Sequence, residues 1–262
     1  MCTVIVRVPS VPGQPLRLLA VRDEDPERPW QPLGAWWPGE HPGVVGVRDL
    51  RAGGAWLAAS ERRLAVLLNR WSPPVPEGWA PVSRGTVVLD AVGGRLPVPS
   101  PAISGFNLIQ AGAGGARFMS WDGLTLVDRL VAPGTHMVAH DDLDDPRSAR
   151  VAAWLDAFAE TPTDPAEGGG RGDWAAGWLG VLAASAALDP HDDRAIIRDN
   201  RPHGFPTRSL LLCVASIGAD GVDVRYAEFD RPGEWNEPVL RPAVPPVTGA
   251  AAGRSPRPAS PR

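Results

Sequence analysis

A cysteine directly follows the initiator methionine, and that position allows an unusual chemistry. The small side chain of Cys2 permits methionine removal, leaving a free α-amine and a thiol on one residue. An α-amine with a pKa near ~8 accepts the thiol proton at neutral pH, so one residue supplies nucleophile and base. Such a group still needs an oxyanion donor and a partner that orients the amine. By position alone, Cys2 reads first as a small buried residue on an edge strand. The surrounding sequence shifts that balance.

The elements that must position Cys2 begin beside it. Thr3 to Val8 is short and β-branched, and Leu16 to Val21 is a second apolar run. The Pro-rich and Gly-containing stretch between them is turn chemistry, so the two runs predict an antiparallel hairpin. Residues 2 and 3 then lie beside the far end of the second strand, close to Arg22 and Asp23. Asp23 is there to orient the amine, and Arg22 to favour the thiolate or bind an acidic substrate group.

Further along, Asp25 to Gly43 reads as loop. Val44 to Leu50, Ala55 to Ala59 and Leu64 to Asn69 read as strands, followed by a Pro-rich stretch and a short helix over Ser83 to Ala91. Phe106 to Ala111, Ala116 to Trp121, Leu124 to Leu130 and His136 to His140 resume the strand pattern, with hairpin turns at Gly112 to Gly115 and Asp122-Gly123. Helical spacing of Val151, Trp154, Leu155 and Phe158 predicts a helix over Pro146 to Glu160 capped by Asp145. A second helix is predicted over Trp174 to Ala187, with Trp178, Val181, Leu182 and Ser185 on one face. A closing hairpin, Leu210 to Ile217 with Val222 to Phe229, turns at Asp220-Gly221. Strands, then helices, then strands describe an α+β domain rather than alternating βαβ units.

Ala20-Val21-Arg22-Asp23-Glu24 with Arg28-Pro29 resembles the Ala-Asn-Arg-Asp-Glu…Arg-Pro signature of the NRDE family, also called transport and Golgi organisation 2. The resemblance continues in order through Gly53-Gly54-Ala55-Trp56-Leu57, Leu64-Ala65-Val66-Leu67-Leu68-Asn69, Gly105-Phe106-Asn107-Leu108, Pro133-Gly134-Thr135 and Thr207-Arg208. The Met-Cys start matches as well. That family resembles the penicillin V acylase and bile salt hydrolase group, which implies a four-layer αββα sandwich of the N-terminal-nucleophile (Ntn) hydrolase type over residues 1–242. Cys2 is then implied as nucleophile with Arg22 and Asp23 beside it, Asn69 as an oxyanion-hole residue and Arg208 as a second active-site arginine. Two departures stand out. Val21 replaces the first Asn of the signature, and Ala139-His140 replaces the usual Ser-Asn, leaving His140 as a substrate-binding donor.

Two readings follow for function: an N-terminal-cysteine amidohydrolase acting on a small linear amide, or a non-catalytic binder of a small hydrophobic ligand such as haem. Val21 and His140 favour the second, and the retained Cys2, Asp23, Asn69 and Arg208 favour the first. No cofactor is expected for the hydrolase, and the expected partner is a small-molecule substrate or ligand.

Composition narrows the remaining classes. At 262 residues the chain suits one large domain or two small ones, and 44% hydrophobic residues suffice for a core. A net charge of −4 provides no field that favours nucleic acid. Every basic residue is arginine, which with the abundance of Ala, Gly and Pro reflects a GC-rich coding bias and warns against giving each one a role. Two cysteines make no disulfide framework and no Cys-x-x-Cys zinc pair, so a reducing cytoplasm is expected. The start is not that of a signal peptide, and no apolar run reaches the roughly 20 residues of a membrane span.

His136 and His140, read on one strand, would stand roughly 13 Å apart and hold no common ion. The Asp-rich stretches at Asp141 to Asp145 and Asp189 to Asp193 read as solvated turns. Arg171-Gly172-Asp173 reads as a chance match to an adhesion motif. From Arg241 onward Pro, Ala, Ser, Gly and Arg predict a disordered tail, with residues 243–262 outside the domain.

Overall fold

A computed structural model describes residues 2–98, 100–163 and 173–243. Its strands are β1 (Thr3–Val8), β2 (Leu16–Glu24), β3 (Trp30–Gly34), β4 (Val45–Asp49), β5 (Ala55–Ala59), β6 (Arg63–Asn69), β7 (Phe106–Gly112), β8 (Gly115–Trp121), β9 (Leu126–Leu130), β10 (Gly134–Val138), β11 (Arg208–Gly218), β12 (Gly221–Glu228) and β13 (Arg241–Pro242). Among the described residues three α-helices accompany them: α1 (Gly85–Val92), α2 (Ala149–Glu160) and α3 (Ala176–Ser185). The fold is α+β, built on two large antiparallel sheets. One runs β10-β1-β2-β11-β12-β13 and the other β3 to β9 in chain order.

Strand alternation explains how the sheets are covered. In β1 and β2, Val4, Val6, Leu18 and Ala20 pack between the sheets, against Leu57, Val66, Ile109 and Phe118 of the seven-stranded sheet. Their neighbours Ile5, Leu19 and Val21 point the other way, onto Phe158 of α2 and Trp178 and Leu182 of α3. Both faces of these strands are therefore buried, so they read as continuous apolar runs rather than alternating ones. Ala58, Ala65, Leu67 and Leu108 of the seven-stranded sheet pack beneath Val88 and Leu89 of α1.

Four expectations need correction. The stretch Asp25 to Gly43 is not all loop, because β3 pairs with β4 there. Pro32 is tolerated because β3 is an edge strand with a register shift between Gln31 and Gly34. Strand β10 ends at Val138, so His140 lies in the bend beyond it and the strand-spacing argument for it falls away. Helix α2 begins at Ala149 with Ser148 as N-cap; Asp145 does not cap it, because its carboxylate accepts from Arg147 N at 2.9 Å in the preceding turn. Arg241 and Pro242 form a short strand on β12 rather than the start of an irregular tail. Residues 244–262, and most of the Arg171-Gly172-Asp173 stretch, lie outside the described residues.

Candidate functional site around Cys2

The hairpin register sets Thr3 opposite Val21, which brings Cys2 to the end of β2 where Arg22 and Asp23 follow. Alternation then separates these two neighbours. Arg22 continues the Leu18–Ala20 series toward the space between the sheets, and Asp23 continues the Leu19–Val21 series toward the helix-covered face. Cys2, Arg22, Asp23 and Asn69 line a common cavity of about 410 Å³, with Arg28, Asp49 and Arg84 among its other charged walls.

The Cys2 thiol donates to the Asp23 carbonyl oxygen at 3.6 Å and is nearly buried. Burial pushes its pKa up, the Asp23 carboxylate pushes it further, and Arg22 only partly opposes them. The thiol is thus a resting S–H rather than a preformed thiolate. Arg22 is 2% exposed. Its Nη2 reaches Glu24 Oε2 at 3.4 Å and its guanidinium lies 5.8 Å from the Trp30 ring centre, while Nε and Nη1 have no partner. Unmet buried donors are costly, so an acceptor in the cavity, water included, would stabilise them.

Asp23 is held from the opposite side. Ser209 Oγ donates to its Oδ1 at 2.7 Å, and Asn200 Nδ2 approaches its Oδ2 at 3.5 Å. Arg84 donates through Nη1 to the Gly105 carbonyl at 2.9 Å, and Arg28 is bound to Asp49 with Nε 2.7 Å from Oδ2. The close fit of α1 on β5 forms one wall, since Gly54 and Gly85 touch backbone to backbone. A Cβ on Gly85 would stand 2.7 Å from Gly54 Cα.

The remaining candidates are distributed as follows. Asn69 ends β6, exposed, on the wall of the Cys2 cavity. Arg208 opens β11 opposite Glu24, half-buried with an unpartnered Nε, but does not line that cavity. His140 lies apart from Cys2's cavity, in a second one of about 230 Å³. There its Nε2 is 3.2 Å from Asp141 Oδ2, and burial pulls its pKa down.

Ser209, Asn200 and Arg150 escaped the sequence reading. Ser209 directly follows the Thr207-Arg208 pair, which was a usable signal. Arg150 gave none, because a charged residue in the first turn of a helix reads as solvent-facing. It is instead 1% exposed and donates to Thr3 Oγ1 at 2.7 Å. Among the described residues, no cluster of three His, Cys, Asp or Glu side chains could hold a metal ion. No helix there is long and apolar enough to cross a membrane.

Fold and site together define an α+β protein of two antiparallel sheets with a cysteine at the wall of an arginine-rich cavity. The family described as Transport and Golgi organisation 2 matches residues 1–160, and the chain belongs to it. No curated protein matches the chain.

Proposed function

We propose that the protein is an Ntn-type hydrolase of a small linear amide, with Cys2 as nucleophile. The observation that carries this reading is a thiol at the wall of a 410 Å³ cavity, beside a buried arginine with two unmet donors. The succession of α1, two facing sheets, then α2 and α3 supports an αββα sandwich of the Ntn type over residues 1–242.

The chemistry proceeds on Cys2 itself. Loss of Met1 frees the α-amine, which accepts the thiol proton as Sγ attacks the amide carbon. The ammonium then returns that proton to the leaving amine as the C–N bond breaks, giving a thioester. Water, deprotonated by the same amine, cleaves the thioester and restores the thiol. A thiol kept protonated by burial suits this route, because its proton leaves only as the bond forms. Arg22, with free Nε and Nη1, supports negative charge near the carbonyl, and Asn69 is positioned on the same wall. Arg208 is assigned a supporting role through Glu24.

The haem reading fits the cavity poorly. Seven of its eighteen lining residues are charged, and of the usual axial ligands of haem iron (His, Cys, Met, Tyr) only Cys2 is among them. Val21 supports a binding role of another kind, because its side chain packs in the apolar cluster under α2 and α3 and offers the nucleophile no polar contact.

The test is turnover of a panel of N-acyl amides together with intact mass after an acylating probe. Wild-type protein beginning at Cys2 is expected to carry one acyl group there. Cys2→Ala should lose on the order of 10³-fold or more in turnover while still binding substrate. Undiminished turnover in Cys2→Ala, or a cellular protein that retains Met1 throughout, overturns the mechanism. Ligand binding without turnover in wild type favours the binder.

A further inference from the structure

The second cavity lies on the face of the six-stranded sheet opposite Cys2, where α2 begins. Ser148, Ala149 and Arg150 of the first turn line it, and Ser148 makes no capping hydrogen bond. An uncapped first turn presents the positive end of the helix dipole and backbone N–H groups. Helix ends alone are common, but two side chains add independent demands. Arg198 is 4% exposed and lines the cavity, and although Asp193 holds its Nη2 at 3.2 Å, its Nε has no partner. His140 Nδ1 is also buried without a partner.

The charges are lopsided. Arg147, Arg150 and Arg198 face the cavity, with His203 beside them, against Asp193, whose side chain is 71% exposed. Arg147 is answered by Asp145 at 2.6 Å and His140 by Asp141 at 3.2 Å. Burial pulls Arg150 down to about 10, Asp23 opposing and the Arg198 charge adding to it. An anion between these cations would relieve that repulsion and meet the unpartnered Nε. Asp193 and Asp141 at the margin favour a monoanion over a dianion. A volume of about 230 Å³ is many times the roughly 10–15 Å³ that a single water needs, enough for an acid of a few carbons.

We propose that this cavity binds the carboxylate of a small organic acid, held by Arg198, the protonated ring of His140 and the first turn of α2. The occupant lies one side chain from the candidate active site. Asn200, which lines this cavity, approaches Asp23 Oδ2 at 3.5 Å, and Arg150 donates to Thr3 beside Cys2. The binding stands whether or not Cys2 is a nucleophile. With Nε2 near Asp141, the protonated ring can donate through Nδ1 to the acid, so binding favours protonation and protonation favours binding.

The experiment follows the His140 ring signals by NMR, titrating sodium butyrate and, separately, inorganic phosphate into the full chain. Butyrate is expected to shift them saturably and to raise the His140 titration midpoint by about one pH unit. Arg198→Gln should weaken butyrate binding about tenfold or more. Ser148→Asp, which sets a carboxylate at the same helix end, should raise the midpoint without butyrate and abolish the response; it carries the test if Arg198→Gln does not fold. No saturable response in wild type, an unaltered response in both variants, or tighter binding of phosphate than of butyrate overturns the assignment. None of these readouts depends on turnover.

Discussion

The Ser209 hydroxyl donates a 2.7 Å hydrogen bond to Asp23 Oδ1, joining the start of β11 to the end of β2 across 186 positions of sequence. Both side chains are buried, and the same hydroxyl accepts from Arg198 N at 2.9 Å. A register shift between Ser209 and Leu211 turns Ser209 toward Asp23 instead of into the core between the sheets. One hydroxyl thus fixes the carboxylate beside Cys2 and the backbone that carries Arg198.

Ser209→Ala is therefore expected to cost about 2 kcal/mol, since a buried carboxylate oxygen and a buried N–H each lose a partner. Urea unfolding of wild type and variant measures it. Under the hydrolase reading, turnover falls as well, because the hydroxyl holds the carboxylate that positions Cys2. A variant as stable as wild type would mean that water or Asn200 replaces the hydroxyl fully.

Much of the fold was legible because burial of alternating faces wrote it into local sequence. Both hairpins at the site, β1–β2 and β11–β12, fall where apolar runs flank turn residues, and Cys2 and Asp23 were paired from that alone. Other features depend on tertiary contacts with no local mark. Trp30–Gly34 forms a strand only because β4 offers it partners, overriding Pro32. Gly54 stands in a block read by resemblance, but its reason is the backbone of Gly85, thirty-one positions on. Arg150 has the composition of a surface residue and the burial of a core one. The family resemblance sets His140 at the Cys2 site, yet the bend after β10 turns it to the other cavity.

His136 gives a pH prediction. Its Nδ1 is 2.6 Å from Asp144 Oδ2 and its Nε2 is 2.9 Å from the Ala132 carbonyl. Two acceptors are satisfied together only by the doubly protonated ring, and the hydrogen bond to Asp144 leads in raising the pKa against the opposing effect of burial. A group raised in the folded state contributes stability that is fully present below its unfolded pKa of about 6.5. That contribution is lost as pH rises through the higher folded value. The difference in Tm between wild type and His136→Gln should accordingly be largest below about pH 6.5 and shrink toward alkaline pH. A difference that grows with pH would reverse the assignment.

The two thiols should react very differently. Cys213 is fully buried in the core between the sheets, and burial pushes its pKa far up. Cys2 opens onto the large cavity, although burial and the Asp23 carboxylate raise it too. Iodoacetamide is therefore expected to label one thiol in the folded protein, at Cys2, and two after unfolding, as read by intact mass and peptide mapping. Alkylation proceeds through the thiolate, so a raised pKa has a definite signature. The Cys2 rate should still climb above about pH 10, where an ordinary thiol near ~8.5 has levelled off. Removing Met1 places an ammonium on Cys2 itself, and that positive charge favours the thiolate. The profile of the processed chain should consequently move to lower pH than that of the chain retaining Met1. Identical profiles for the two forms would show that the amine does not sense the thiol, and an amine without that coupling could not act as its base.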